Sequence, residues 1–497
     1  MIKQFFLNVI VVFLFSSEMV AQENVFHSRD FWKANPSLEQ IDLAIAEGND
    51  PSALNENAFD GVVFALLEKA DATTIKYLLS LEGNGIEKRT HDSRTYIFWA
   101  AYKGNINIMQ YLLDKGAVIN SRDSHGNTPV TFAAATGQKS ETVYDLFEKN
   151  GAVLYQEKNE DEVGVLFLIA PYLENESKLA YFQNKGFIIH DKDPKGNTIF
   201  NHAAKSGNID FLKLLIKKGL SPTVLNKEGG NAILYASQGT RKHQNTIGTY
   251  QFLEAVGVKV NVVGDRGRNP LHAIAYKSKD ISVFKYFIDK GVVVNLQDNG
   301  GDTPFMNAAN SNDLKVVQFL SAYVKDFNTK DENGRSALAM AVNRNTVAIV
   351  KFLLDKGADI HTKDAKGNSL TYYLLDTFNK KDPKEFDAKL MLLQEYGLSL
   401  NQTQSDGNTL FHVATQRNNL ALLERLANFD IDVNIKNSEG YTALQIAAMK
   451  AEDDAIIKYL LAQGADKTVM TDFDETIFDL ASENELLKNK ELQFLHE

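Results

Sequence analysis

The sequence contains no cysteine in 497 residues. That excludes a disulfide framework, a thiol nucleophile and a lipid attached through cysteine. Positive charge is also short: 53 Lys and Arg stand against 64 Asp and Glu, a net of −11. An acidic chain repels phosphate backbones unless its charge is sharply segregated, so nucleic acid is not an expected partner. Long apolar runs are missing as well. The Phe5 to Phe15 run has 11 residues, too few to span a bilayer as a helix. There is no Gly-x-Ser-x-Gly elbow, no His-Glu-x-x-His and no phosphate-cradling Gly-rich loop with Lys, so no enzyme class is indicated.

What is present is a repeat. A turn followed by a Thr-Pro-Leu-His-like start, an Ala pair and a Leu-Leu-x-x-Gly-Ala-like ending recurs along nearly the whole chain. The residue equivalent to the turn threonine falls at Gly61, Thr95, Thr128, Gly164, Thr198, Asn231, Asn269, Thr303, Ser336, Ser369, Thr409, Thr442 and Thr476. Steps of 33 or 34 residues dominate, and self-similarity at that period predicts a stacked array. Gly126, Gly196, Gly301, Gly334, Gly367 and Gly440 stand two residues before the registered position, where a tight finger needs positive φ. The following Thr or Ser suits a helix N-cap, and proline after it suits the first turn. Ala100-Ala101, Ala133-Ala134, Ala203-Ala204, Ala308-Ala309 and Ala447-Ala448 keep the first helix thin. The second helix carries the bulky apolar residues and stops at a glycine such as Gly116, Gly219 or Gly357.

On Asp123-Ser-His-Gly126-Asn-Thr128-Pro129, Asn269-Pro270-Leu271-His272 and Phe352-Leu-Leu-Asp-Lys-Gly357-Ala358, the chain resembles the ankyrin-repeat family. The resemblance implies an all-α solenoid of helix-turn-helix repeats with short β-hairpin-like fingers. It implies that His272 and His412, at the fourth position of the turn motif, bond finger backbone rather than metal or protons. It also implies that partners meet the concave side, at positions −4, −3, −1, +7 and +8 from the turn threonine.

The domain map follows. Residues 1–22, with Lys3, the apolar run and small Ala21, read as a signal peptide. Residues 23–60 form a partial capping repeat, with Ser37 to Gly48 as its second helix and Phe31 and Trp32 covering the open end. Residues 61–475 are the array, and 476–497 a polar C-terminal cap. Export without cysteine points to a bacterial periplasm or secretion. Gln238 to Tyr250 and Asp376 to Asp387 are extra length between first and second helices, read as tolerated insertions or a second contact site. The repeat at Gly164 is degenerate, with Pro171 inside its first helix.

In eleven repeats, Thr95 to Thr442, the 55 partner-facing positions hold 13 basic and 10 acidic residues. The local excess lies mid-chain. It comprises Lys195 and Lys205; Arg266, Arg268, Tyr276 and Lys277; Arg335 and Arg344; and Lys366. Tyr276 among arginines has the composition of an interface centre. These nine residues are the expected partner-binding set, for a protein or peptide with an acidic surface. No cofactor, metal or catalytic residue is expected. The reading is a non-catalytic binding scaffold, in a narrower form an inhibitor or immunity-type protein. The alternatives are an envelope spacer, or a small-ligand or enzymatic site on the concave face.

Overall fold

The structure is a computed structural model that describes residues 24–429 and 431–496. The expected signal segment lies outside them. The chain divides between Pro194 and Lys195 into two compact bodies, a boundary inside what the sequence presents as one array.

Each repeat begins where the register places it. In every repeat after the first, the registered residue is the N-cap of the first helix. In the first, Asp60 caps and Gly61 opens the helix. Thr128 shows the chemistry. Its Oγ1 accepts the Thr131 N–H at 3.3 Å while the Thr131 hydroxyl accepts the Thr128 N–H at 2.8 Å, and Pro129 fills the first turn. The finger glycines before these caps and the glycines closing the second helices all have positive φ, for example 80° at Gly301 and 84° at Gly357.

First helices pack on first helices of adjacent repeats, as Pro304–Ser311 does on Ala337–Arg344. The alanine pairs make that approach possible, and Ala308 and Ala309 are wholly buried. A recurrent asparagine then ties repeat to repeat. Asn312 Nδ2 donates to the Ala275 and Ser278 carbonyls at 2.8 and 2.9 Å, and Asn345 Nδ2 to those of Ala309 and Asn312 at 2.9 Å. These carbonyls end first helices and have no intrahelical partner. Fingers are joined by single backbone bonds: Asn299 N–H to Arg266 O, Glu332 N–H to Gly300 O and Ala365 N–H to Asn333 O, at 2.7–2.9 Å. Among the described residues the fingers hold no strand; isolated antiparallel bridges form, as at Lys158–Gly164 and Lys330–Ser336.

Irregular repeats show how the pattern bends without breaking. At Gly164 the first helix shrinks to Val165–Ile169, followed by a 3₁₀ turn, Ala170–Tyr172, that houses Pro171. The insertion after Gln238 loops out and returns Asn245 to the asparagine position, with Nδ2 2.8 Å from the Ala236 carbonyl and 3.2 Å from that of Ala204. The insertion expected over Asp376 to Asp387 is a loop only to Pro383. From Lys384 it lengthens the second helix, Lys384–Glu395. That repeat lacks the asparagine, and buried Lys389 replaces it, Nζ donating to the Val342 carbonyl at 3.0 Å. Burial drives the pKa of this ammonium down. At the N-terminal end Trp32 is buried, with Nε1 donating to the Phe26 carbonyl at 2.8 Å and Phe31 edge-on to both rings.

Candidate functional site

Three successive fingers of the second body are built on an aspartate, Asp298, Asp331 and Asp364, that works in two directions. Asp298 Oδ1 accepts the backbone N–H groups of Gly300 and Asp302, at 2.8 and 3.1 Å, and so closes the turn. Its Oδ2 accepts Arg268 Nε from the preceding repeat at 2.7 Å. Asp331 repeats the arrangement within one finger: Oδ1 takes the Arg335 N–H and Oδ2 the Arg335 Nε, both at 2.7 Å. Asp364 Oδ1 holds the N–H groups of Lys366 and Asn368, while Oδ2 accepts the Tyr373 hydroxyl at 2.6 Å. Burial alone would raise the carboxyl of Asp298. The bonds from Arg268 and the finger amides outweigh it and leave the pKa below the ordinary carboxylate value.

Seen from the partner's side, the aspartates vanish and their counter-ions remain. Asp298 and Asp331 side chains are 1% exposed, while Arg268 and Arg335 are 42% and 38% exposed. Half-buried Tyr276 lies in the field of both arginines and of Asp298 and Asp302. Its hydroxyl is pushed up chiefly by burial, then by Asp302. The first body uses the same position differently. Arg94, bonded to Asp123 at 2.9 Å, is buried with its guanidinium 4.3 Å from the Phe132 ring centroid, and there the pair is core.

The nine expected residues therefore divide. Arg268, Tyr276 and Arg335 come together. Lys195 pairs with Asp265 at 3.1 Å and approaches Glu228 at 4.0 Å, and Lys205 lies 5.2 Å above the Tyr235 ring. Arg266 is exposed at a fingertip, in the left-handed region at φ 58°, within the field of Asp265 and Glu228. Lys277, Arg344 and Lys366 are exposed, and none of the three forms an ion pair with another described residue. Sequence reasoning missed Asp302 and Tyr373. Asp302 occupies the −1 position in its repeat, as Arg268 and Arg335 do in theirs, and that was the available signal. Two arginines face three aspartates (Asp298, Asp302 and Asp331), so the centre of this face carries one net negative charge.

Comparison with known proteins settles the family. A model of three consecutive ankyrin repeats matches residues 63–158, 245–331, 271–364 and 383–471, and a single ankyrin repeat matches 195–224. The chain belongs to the ankyrin-repeat family. Among similar proteins, Transcription factor MBP1 of Saccharomyces cerevisiae is 24% identical over 34% of this chain and 22% of its own length. A Caenorhabditis elegans homolog of transient receptor potential cation channel subfamily A member 1 is 28% identical over 40% of this chain and 16% of its own. Notch-regulated ankyrin repeat-containing protein A of Danio rerio is 30% identical over 18% of this chain and 78% of its own. The ankyrin-repeat chain thus spans about a fifth of the length of the first two. These relatives are eukaryotic and lend no support to the bacterial-type assignment drawn from the apolar start and the absence of cysteine. Among the described residues of this ankyrin-repeat protein, no helix is long and apolar enough to cross a membrane.

Proposed function

We propose that this ankyrin-repeat protein is a non-catalytic binding scaffold that engages a protein or peptide on the finger face of the repeats from Asn269 to Ser369. Ankyrin repeats are protein-interaction modules, which supports the general reading. The observation that carries the particular one is the pair Arg268 and Arg335, each fixed by a buried finger aspartate, with half-buried Tyr276 within the field of both. Aromatic and arginine side chains held in place lose little freedom on binding, which is how interface centres gain affinity. Exposed Lys277, Arg344 and Lys366 support acidic groups on the partner. A photo-crosslinking residue at Lys277 should capture a partner that the same residue at Lys285, on the second helix, does not. Equal capture at both positions would remove the finger face from the reading.

The narrower form is an inhibitor or immunity-type protein that shields its target in an exported compartment. What supports export is Lys3, the Phe5 to Phe15 run and Ala21. The mass of the chain recovered from its native source tests it. A mature protein beginning near residue 22 supports the reading, and an intact Met1 start removes it.

A further inference from the structure

Asp302 is the one charged group at the centre of the finger face that its neighbours leave unanswered. Its backbone is fully used: the N–H closes the finger on Asp298, and the carbonyl accepts His272 Nε2 at 3.1 Å. Its carboxyl accepts no hydrogen bond from any described residue, and Oδ1 is out of solvent contact. Arg268 and Arg335 flank it but are committed to Asp298 and Asp331 at 2.7 Å. A carboxylate left so is costly, and its pKa is raised by burial and by Asp298 and Asp331. A donor arriving from outside would supply the missing bond. Since Arg268 and Arg335 are balanced by Asp298 and Asp331, the charge left over is that of Asp302 itself, and a cationic donor fits better than a neutral one, with half-buried Tyr276 in the same field.

On either side the charge reverses. Lys277 lies in the turn after the first helix of the preceding repeat, Pro270–Ile274, and Arg344 ends that of the following one, both exposed and without an ion pair among the described residues. Repeats stack at about 8–10 Å and an extended chain advances about 3.3 Å per residue, so one repeat corresponds to about three partner residues. Resting on the finger-face reading above, we propose that this groove reads a charge order. A lysine or arginine of an extended partner segment meets Asp302, with an aspartate or glutamate about three residues away on each side meeting Lys277 and Arg344. The recognised pattern is acid, base, acid, at repeat spacing, in place of a uniformly acidic surface.

Panning random phage-displayed dodecapeptides on the full chain tests this directly. The wild type should enrich a basic residue with acids about three positions before and after it. Asp302→Asn, checked for unchanged circular dichroism, should lose the central basic preference and bind the wild-type peptides about tenfold or more weakly. Lys277→Glu with Arg344→Glu should keep the central base and exchange the flanking acids for bases. Enriched peptides lacking a central base, or equal binding by Asp302→Asn, would overturn the charge order while leaving the finger face as the binding surface. If the enriched peptides compete with nothing on that face, or if none is enriched, the finger-face reading falls and takes the charge order with it.

Discussion

His412 shows how a single side chain can hold two repeats together at a cost in pH range. Its Nδ1 accepts the Thr409 N–H at 3.1 Å, and its Nε2 donates to the Tyr441 carbonyl of the next finger at 3.0 Å. Only the neutral imidazole can do both, since a proton on Nδ1 would face the Thr409 N–H. His272 repeats the arrangement between Asn269 and Asp302. Burial lowers the pKa of both below the usual 6.5, so an unfolded chain binds more protons than the folded one as pH falls toward and below that value. Stability should accordingly be full above pH 6.5 and decline below it, in urea titrations at pH 8 and pH 5.5. His412→Ala should cost roughly 2 kcal/mol at pH 8, and less at pH 5.5, where the wild type has already lost part of that advantage. The finger aspartates give a second, asymmetric prediction. Asp298→Ala removes the acceptor of two finger amides and strands Arg268, at about 2–3 kcal/mol, while Arg268→Ala, half-exposed, should cost under about 1 kcal/mol. Comparable losses from the two changes would mean that the carboxylate does not organise the finger. The roles of both histidines were legible in the sequence because the turn motif places them. The pairing of Arg268 and Arg335 was not, because it depends on aspartates five residues before the registered position, outside the positions assumed to face a partner. Asp302 was hidden for a different reason: its isolation results from its neighbours' other commitments, which only coordinates display.

Among elements, the finger and the second helix both end on left-handed glycines, yet they do so for different reasons. A Cβ on Gly301 would lie 2.8 Å from Asp331 Cα and from Glu332 N, in the backbone of the next finger. One on Gly357 would meet nothing within 4 Å. Both have φ near +80°, so alanine carries the same conformational cost of about 1 kcal/mol at each. Only at Gly301 must two fingers also be pushed apart, breaking the Glu332 N–H to Gly300 O bond. Gly301→Ala should therefore lower the melting temperature well beyond Gly357→Ala, and equal shifts would show that finger contact contributes little. Helix boundaries were legible in the sequence because caps and glycines punctuate them, down to the N-cap residue. The insertion near 380 was only half legible. Lys384 to Asp387 look like polar loop, but Pro383 starts a helix that their charges tolerate on its exposed first turn. Lys389 could not be anticipated as a buried ammonium, because a lysine in a polar stretch reads as solvated until the absent asparagine is noticed.

For the whole molecule, connectivity sets how damage spreads. Within each body first helices pack on those of adjacent repeats, and asparagine side chains and finger N–H groups both donate to the repeat before. In such an array stability is a sum of repeat terms and nearest-neighbour terms. A compact globular domain would behave otherwise, since one core couples all its elements. The division at Pro194 and Lys195 was not visible in the repeat register, which continues across it, and it gives a further reason to expect local response. Leu338 makes the test sharp. It is wholly buried in the first helix of the repeat at Ser336, and Leu→Ala at such sites costs about 2–5 kcal/mol. Hydrogen exchange followed by mass spectrometry on Leu338→Ala should show protection falling in Ala337–Arg344 and in the flanking Pro304–Ser311 and Leu370–Leu375. Tyr96–Lys103, in the first body, should exchange as in the wild type. Uniform loss across all four helices would mean that the chain opens as one cooperative unit. Graded loss would mean that the finger face can loosen around a partner without unfolding the rest of the protein, a local freedom that a scaffold reading an extended segment can use.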